Sequence, residues 1–349
     1  MKVYVSAGAT LLPQCFRIED TDKENSSIPL HNDGDMFIEN MIADSDFQLC
    51  NIDKTVKRIS NLQSRWLLHS GIKTWNDSTI GEFVSPEERG IFLGLGTSDS
   101  DDNITPVGFS EKDKNSYVAT ALTNMQPTIG LTLLNTTSAS QLAQHLDIRG
   151  DNAFFSPHSD AGASAVIEGF YSIYHKKNKI ALCGGVSQKI SDWFYLSYEK
   201  VLRDRNCLNL TEASSFILIH NDAEHASAQL GHIQRSVIHD QTQYQRFLKK
   251  YHHLARNRLA LIHIGLGCDN YDYLEPDDHV FAGVPSIKLE RHLGYSGAAS
   301  VFLAINYAIY RHNNGKANAG NQPPNLANQV LIINHGLHGN CAAMMLNFN

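Results

Sequence analysis

The chain has 349 residues, of which 42% are hydrophobic and 19% charged, so it can bury a large core and is long enough for two globular halves. Its 36 acidic residues outnumber its 29 lysines and arginines, and the net charge of −7 argues against nucleic acid binding as the main function. Six scattered cysteines without a CxxC pair, and the lack of any run of about 18 apolar residues, predict a cytoplasmic protein without a membrane span.

The predicted elements alternate between strands and helices, which is typical of an α/β fold. The alternation of Val3 and Val5 indicates a first strand and not a signal peptide. Further strands are predicted at 90–96, 179–185, 214–220, 259–267 and 329–336, and helices at 140–147, 162–177, 244–258 and 297–312. Because the strands are nearly continuous apolar runs, we expect buried parallel strands. The polar segments 20–35, 97–104 and 313–325 are predicted to be surface loops.

Two of these helices indicate an internal repeat. The segments that begin at Gly162 and Gly297 lie 135 residues apart, and each opens with small residues and runs for about four turns. Each helix is followed by a short β-rich run that ends in glycine, at Gly185 and at Gly336. This pattern is what a duplicated α/β fold produces, although two unrelated amphipathic helices give the same pattern by chance.

Common cofactor and nucleophile motifs are missing from the sequence. The GLG pairs at 94–96 and 265–267 lack the third glycine of a dinucleotide site, and neither a phosphate-binding loop nor a GxSxG elbow occurs. The histidine pair 252–253 lies on a basic helix, and the pair 335/338 has no carboxylate nearby in sequence, so we predict no metal site. No cofactor is expected.

The segment 151–166 contains a strand that breaks at Pro157 and leads into the helix at Gly162. Such a turn places Ser159 at a helix N-terminus, where backbone N–H groups can lower the pKa of a nucleophile or bind an oxyanion. The alternative interpretation is that Ser159 only caps the helix, assisted by Asp160. The residues themselves leave both interpretations open.

This order of segments resembles the β-ketoacyl synthases of the thiolase superfamily, in which a nucleophilic cysteine precedes a small-residue helix and a Gly-Gly strand. Counting back 25 residues from Gly184, the usual spacing of that family, leads to Ser159. The resemblance covers nearly the whole chain, in the segments 135–152, 156–188, 211–226, 261–272, 286–300 and 333–346. It implies a duplicated thiolase-like α/β fold of five layers, α-β-α-β-α. The halves would be 1–208, which carries the nucleophile-position turn, and 209–349.

The chain departs from the catalytic residues of that family. Ser159 replaces the cysteine, and a hydroxyl needs an adjacent base to attack a thioester. Ile264 stands where the first histidine is expected and cannot move a proton. Lys288 is retained, whereas His292 is ambiguous as the second histidine because it follows Lys288 by four residues where the family has five. Independent condensation is therefore not expected.

A ketosynthase-like chain without these groups resembles the chain-length factors of type II polyketide systems, with aryl-polyene systems as the nearest subtype. The resemblance implies a heterodimer with a catalytic ketosynthase, transient contact with an acyl carrier protein, and an acyl tunnel that both subunits line. The tunnel and interface residues would be Thr128, Ile129, Leu131 and Leu133. Buried strand residues would show the same apolar pattern.

Two alternatives remain. One is a serine-dependent acyltransferase or atypical β-ketoacyl synthase that uses Ser159, with His292 or His335 as its base. The other is an interaction-only protein whose basic helix recruits an acidic carrier protein through Lys249, Lys250, Arg256 and Arg258, although these charges are also typical of a solvated helix face.

Overall fold

The structure, a computed structural model, describes residues 1–14, 41–49, 52–97, 131, 134–191, 210–251, 259–265, 281, 284–317 and 328–348. The predicted loop 20–35 and most of the predicted loop 97–104 lie outside these residues. Of the six cysteines, Cys183 and Cys341 are described, and both are free and buried. Among the described residues, no helix is long and apolar enough to cross a membrane.

Ten strands of the described chain form one mixed sheet. They are β1 (Val3–Leu11), β2 (Arg89–Leu95), β3 (Asn152–Phe155), β4 (Ile180–Val186), β5 (Ser214–His220), β6 (Ala228–Val237), β7 (Leu259–Ile264), β8 (Ser286–Lys288), β9 (Gln329–His335) and β10 (Asn340–Asn347). Their order across the sheet is β3-β2-β4-β5-β1-β6-β10-β9-β7-β8.

The strand order is symmetric about the contact between β1 and β6. Strands β1 to β5 follow the order 3-2-4-5-1, and β6 to β10 repeat the same order in reverse direction across the sheet. The two sets join where Val3 to Val5 pair antiparallel with Leu230 to Ala228. This repeated order agrees with the duplication that the sequence indicated. The predicted boundary between residues 208 and 209 stays a prediction. Strand β5 follows that boundary in sequence, but it pairs with β1 and β4 of the first set.

The helices are α1 (Lys54–Ile59), α2 (Leu62–Asn76), α3 (Asn135–His145), α4 (His158–Tyr174), α5 (Gln241–Lys249), α6 (Glu290–Leu293) and α7 (Ser300–Ala317). Short 3-10 segments occur at Asp44–Asp46, Ile80–Phe83, Pro86–Glu88 and Gly297–Ala299. Helices α4 and α7 contact strands of both sets, so they form a central layer. Helices α2 and α3 cover the other face of the first set, and α5 covers the other face of the second.

Side-chain alternation along each strand produces these layers. In β4, Cys183 faces the central helices, whereas the neighbouring Leu182 packs with α2 and α3. In β9, Ile332 faces the central helices, and Ile333 packs on the side of α5. Because both faces are covered there, β2, β4 and β5 are buried at almost every position, and each fully buried Leu or Ile stabilises the fold by about 2 kcal/mol.

The structure confirms the predicted α/β class and the five-layer arrangement. Both predicted helix–strand units form, as α4 with β4 and α7 with β9. The expectation of parallel strands is wrong for β5, which runs antiparallel to both β1 and β4, because apolar content reports burial and not direction. The predicted loop 313–325 is wrong for residues 313–317, which belong to α7, and the rest of that prediction lies outside the described residues.

Candidate active site

A sharp turn connects β3 to α4 and carries the Ser159 position. Strand β3 ends at Phe155, Pro157 occupies the N-cap, and α4 begins at His158, so that Ser159 is the second helical residue. His158 has a φ of 69°, a left-handed conformation that costs a residue with a Cβ roughly 1–3 kcal/mol. The packing around the turn must therefore offset the conformational cost of His158.

The side chain of Ser159 is almost completely enclosed, with 1% of its surface exposed. Its Oγ has no hydrogen-bond partner among the described residues. The N-cap is Pro157, and no side chain caps α4, so the interpretation of Ser159 as a capping residue does not hold. An unpaired buried hydroxyl is destabilising, which is why such a group calls for an explanation beyond folding.

The backbone N–H of Ser159 donates a hydrogen bond to the hydroxyl of Tyr295, at 3.2 Å. Tyr295 follows α6 and is 2% exposed. The N–H of the second helical residue has no acceptor within its own helix, so the phenol oxygen of Tyr295 supplies the acceptor that this N–H lacks. A carbonyl oxygen that approached Ser159 would need the same donor.

Asp160 links the start of α4 to β9 and β10 through hydrogen bonds. Its carboxylate accepts hydrogen bonds from the amide groups of Asn334, at 2.9 Å, and Asn340, at 3.3 Å. A side chain at Gly336 would overlap the carboxylate, so this glycine allows the close approach. Burial raises the pKa of Asp160, while the two amides and the nearby His338 oppose the rise.

Two imidazoles flank the turn, with the rings of His158 and His338 6.4 Å apart. Burial lowers the pKa of His158, and the charge of His338 lowers it further. Neither ring is hydrogen-bonded to Ser159 Oγ. A neutral imidazole acts as a base through such a contact or through one bridging water, and among the described residues neither ring makes the direct contact.

Ile264 is the last residue of β7, is fully buried and faces the central layer. It pairs in register with Asn334, whose side chain reaches Asp160, so Ile264 lies close to the start of α4. The assignment of Ile264 to the position of the first catalytic histidine stays a prediction.

Lys288 ends β8 and is the register partner of His263. The preceding Ile287 packs on the central core, so alternation directs Lys288 to the opposite face. There its charge lowers the pKa of His263 and His335, whose burial is the larger cause of the shift. His335 Nε2 is 3.0 Å from His263 Nδ1, so the ring of His335 is committed to this pair and not to Ser159.

His292 belongs to the short helix α6 and is half-buried. It has no hydrogen bond to Ser159 Oγ. Of the four predicted catalytic positions, the structure brings Ser159 and Ile264 to the same region. It directs Lys288 to the other face of the sheet, and the catalytic roles of Lys288 and His292 stay predictions.

A small pocket opens beside the turn. Its walls come from the end of β2, the turn before α4, the residues after β4 and the segment that contains Tyr295. The polar groups that line it are Thr97, His158, Ser187, Gln188, Thr211 and Tyr295. Of the predicted tunnel residues, Leu131 is 46% exposed, whereas Thr128, Ile129 and Leu133 lie outside the described residues. In the described part of the chain, no group of three or more His, Cys, Asp or Glu side chains could hold a metal ion.

Sequence comparison identifies the family. The sequence model described as "Beta-ketoacyl synthase, N-terminal domain" matches residues 9–202, which is more than half of the chain. The chain belongs to the β-ketoacyl synthase family. No curated protein matches the sequence.

Solved structures of this family share the fold at low identity. A chain from the complex of a type II PKS acyl-carrier protein with its ketosynthase bound to the hexaketide is 14% identical, with a TM-score of 0.76 over 100% of this chain and 99% of that chain. A β-ketoacyl synthase from Burkholderia phymatum STM815 is 13% identical, with a TM-score of 0.73 over 100% and 99%. The ketosynthase from module 6 of the bacillaene synthase from Bacillus subtilis 168 is 12% identical, with a TM-score of 0.70 over 100% and 72%.

Sequence reasoning missed two parts of the site. It did not predict that Tyr295 reaches Ser159, because nothing in a local pattern connects residues 136 positions apart. It also treated Asp160 only as a capping aid, although Asn334 and Asn340 hold its carboxylate. The polar residues at the end of an otherwise apolar β9 were the one available signal.

Proposed function

We propose that this chain is a non-catalytic subunit of chain-length-factor type. It pairs with a catalytic ketosynthase and sets the length of acyl chains that an acyl carrier protein presents. The observation that carries the proposal is the state of Ser159, whose Oγ has no hydrogen-bonded base among the described residues and whose N–H is already bonded to Tyr295. Acyl transfer needs an activated nucleophile and free donors for the oxyanion, and this turn offers neither.

The chain retains the fold of the family but lacks residues of its catalytic chemistry, and this combination supports the same proposal. Ile264 cannot replace a histidine that moves a proton or stabilises an enolate. The described chain nevertheless keeps a duplicated ten-stranded sheet and the strained turn at His158. Retention of the architecture fits a role in which the protein is needed for its shape and its contacts.

Strand β3 offers a contact surface for the partner subunit. It is an edge strand of the described sheet, and Asn152 is exposed. An edge strand presents unpaired N–H and C=O groups that another sheet can complete. The proposal places the catalytic ketosynthase along β3 and the neighbouring α4, in a cytoplasmic complex of the aryl-polyene subtype.

The first test is the effect of Ser159→Ala in the complex. The chain is co-expressed with the ketosynthase encoded beside it, the one-to-one complex is isolated by size-exclusion chromatography, and product formation from carrier-bound substrates is measured. The proposal expects product within twofold of the wild-type complex. Loss of product from an assembled complex, or an active homodimer of this chain alone, would overturn it.

The second test concerns chain length. The proposal expects that smaller or larger side chains at Ile129 and Leu131 change the length distribution of the products, because the family resemblance assigns both residues to the wall of the acyl tunnel. Val237→Ala is the matched control, since Val237 is also an exposed apolar residue but lies at the end of β6. Unchanged product lengths in the Leu131→Ala and Leu131→Trp complexes would contradict the tunnel assignment.

The alternative is a serine-dependent acyltransferase or atypical β-ketoacyl synthase. The buried and unpaired Oγ of Ser159 at a helix N-terminus is the observation that favours it. Incubation of the wild-type chain with acyl thioesters and peptide mass spectrometry separates the two functions. An acyl adduct on Ser159 supports the alternative, and an unmodified Ser159 supports the non-catalytic subunit.

A further inference from the structure

The hydrogen bond between Tyr295 and Ser159 is a second feature of the turn that opposes catalysis, separate from the missing catalytic groups. Ser159 is the second residue of α4, and the first four N–H groups of a helix have no acceptor within that helix. The hydroxyl of Tyr295 supplies the acceptor from outside. The amide is therefore satisfied by a side chain that a ligand would have to displace.

The backbone of Tyr295 is anchored to the residues that precede β5. Its carbonyl oxygen accepts a hydrogen bond from the N–H of Thr211, at 2.9 Å, and it forms a parallel bridge with Leu210. The side chain is 2% exposed and forms part of the wall of the pocket beside the turn. Because the backbone is anchored and the side chain is buried, an acyl group would have to displace packed atoms to move the phenol aside.

We propose that Tyr295 is a blocking residue, which keeps the carbonyl of an acyl thioester from reaching the N–H of Ser159. The inference rests on the proposed non-catalytic function and adds that this inertness does not come from the Cys-to-Ser difference alone. A thiol at position 159 would still face an occupied donor. Removal of the Tyr295 side chain frees the donor and opens the space that the ring fills.

The main experiment compares Ser159→Cys with the double variant Ser159→Cys/Tyr295→Ala in the full chain. Each is incubated with acetyl-coenzyme A, and adduct formation is followed by intact-mass spectrometry. The introduced thiolate attacks the thioester carbonyl, a new carbon–sulfur bond forms, and coenzyme A leaves as the thiol. Ser159→Cys/Tyr251→Ala is the matched control, because Tyr251 is equally buried but its hydroxyl bonds to His232 on the outer side of the sheet.

The inference expects slow acylation of Ser159→Cys and of the Tyr251 control, and at least a tenfold faster rate in the Tyr295 double variant, since one oxyanion donor is worth about 10²–10³ in rate. A rate within twofold of Ser159→Cys in a folded double variant would overturn it. The wild-type chain is run in parallel. An adduct on Ser159 there contradicts the proposed function itself, whereas an unmodified wild type with no effect of Tyr295→Ala contradicts the blocking role alone.

Amide hydrogen exchange keeps the inference testable if Tyr295→Ala does not fold. The Tyr295 hydroxyl is the acceptor for the Ser159 amide, so we expect protection in the wild type and at least tenfold faster exchange of that amide in Tyr295→Phe. Amides in the middle of α4 serve as the internal control, because a general loss of packing would accelerate them too. Equal exchange of the Ser159 amide in both proteins would exclude the contact.

Discussion

The imidazole rings of His263 and His335 stack with their centroids 5.3 Å apart, and Nδ1 of His263 lies 3.0 Å from Nε2 of His335. One nitrogen must donate and the other accept, so the contact requires at least one neutral ring. Burial lowers the pKa of His263 to about 4 and lowers that of His335 well below its usual range, and the charge of Lys288 adds to both shifts. The pair is thus a neutral contact enclosed beneath α5.

This pair predicts acid sensitivity. A histidine whose pKa is lower in the folded state stabilises the fold above its unfolded value of about 6.5, and this stabilisation is lost as the pH falls towards 4. For His263 the loss amounts to about 3 kcal/mol once the pH is below both values. Urea unfolding at pH 7 and pH 5 measures about 2 kcal/mol of this loss, because pH 5 lies above the folded pKa of about 4. The double variant His263→Leu/His335→Leu should lose less stability between the two pH values. His145→Leu, on the exposed end of α3, should behave as the wild type.

Glu212 predicts the opposite pH dependence. Its carboxylate accepts hydrogen bonds from the N–H groups of Ile42, at 2.7 Å, and Ile190, at 2.9 Å, and burial raises its pKa to about 7. The raised pKa stabilises the fold below about 4.5, and this stabilisation of about 3 kcal/mol is lost as the pH rises through 7. Glu212→Gln should remove that part of the pH dependence between pH 5 and 8.

Glu212→Gln also lowers the free energy of unfolding at pH 5 by about 1–3 kcal/mol, because its amide has one acceptor oxygen for two buried N–H groups. Glu82→Gln, at an exposed position of a 3-10 segment, is the control and should leave both quantities unchanged. An unaltered difference in stability between pH 5 and 8 in Glu212→Gln would show that another group titrates.

Asn306 connects the central helix α7 to the first set of strands. Its Oδ1 accepts from the N–H of Gly8, and its Nδ2 donates to the hydroxyls of Thr10 and Ser215 and to the carbonyl of Phe216. Asn306→Leu leaves these groups buried without their partner, so we expect a loss of about 2–4 kcal/mol in the free energy of unfolding. Asn313 is exposed on the same helix, and Asn313→Leu should change the free energy of unfolding by less than about 0.5 kcal/mol, the usual range for surface substitutions. Equal effects of the two variants in urea unfolding would disprove the network.

Gly185 allows β4 to lie against the segment before α7. A Cβ there would overlap the carbonyl oxygen of Ala298, which as backbone cannot move aside. We expect Gly185→Ala to cost about 1–3 kcal/mol or more, as overpacking of a core does. In Gly231→Ala the new methyl group meets nothing within 4 Å, so the melting temperature should hardly change. Similar melting temperatures for the two variants would contradict the close approach.

Much of the fold could be predicted because it follows from local patterns. Apolar runs located β2, β4, β7 and β9, and apolar periodicity located α4 and α7. The direction of β5 could not be predicted in this way. Burial on both faces makes a strand apolar whether its neighbours run parallel or antiparallel, so composition carries no information about direction.

In the candidate site, too, the features set by neighbouring residues could be predicted, and those set by strand pairing could not. The position of Ser159 at a strand-to-helix turn followed from the break at Pro157 and the small residues of α4, and the structure has that turn. The separation of Lys288 from the turn could not be predicted, because it depends on which face of β8 the side chain takes. That choice is made by the pairing register with β7.

The amino-acid sequence by itself determined the alternation of strands and helices, the repeated helix–strand unit and the absence of a thiol at position 159, since each of these is a property of neighbouring residues. The tertiary structure decided what surrounds that position. The hydrogen bond from Ser159 to Tyr295, the clamp of Asn334 and Asn340 on Asp160, and the pairing of His263 with His335 join residues between 72 and 180 positions apart. Such contacts exist only after the two sets of strands have closed over α4 and α7, because packing and register, and not local preference, bring these side chains together.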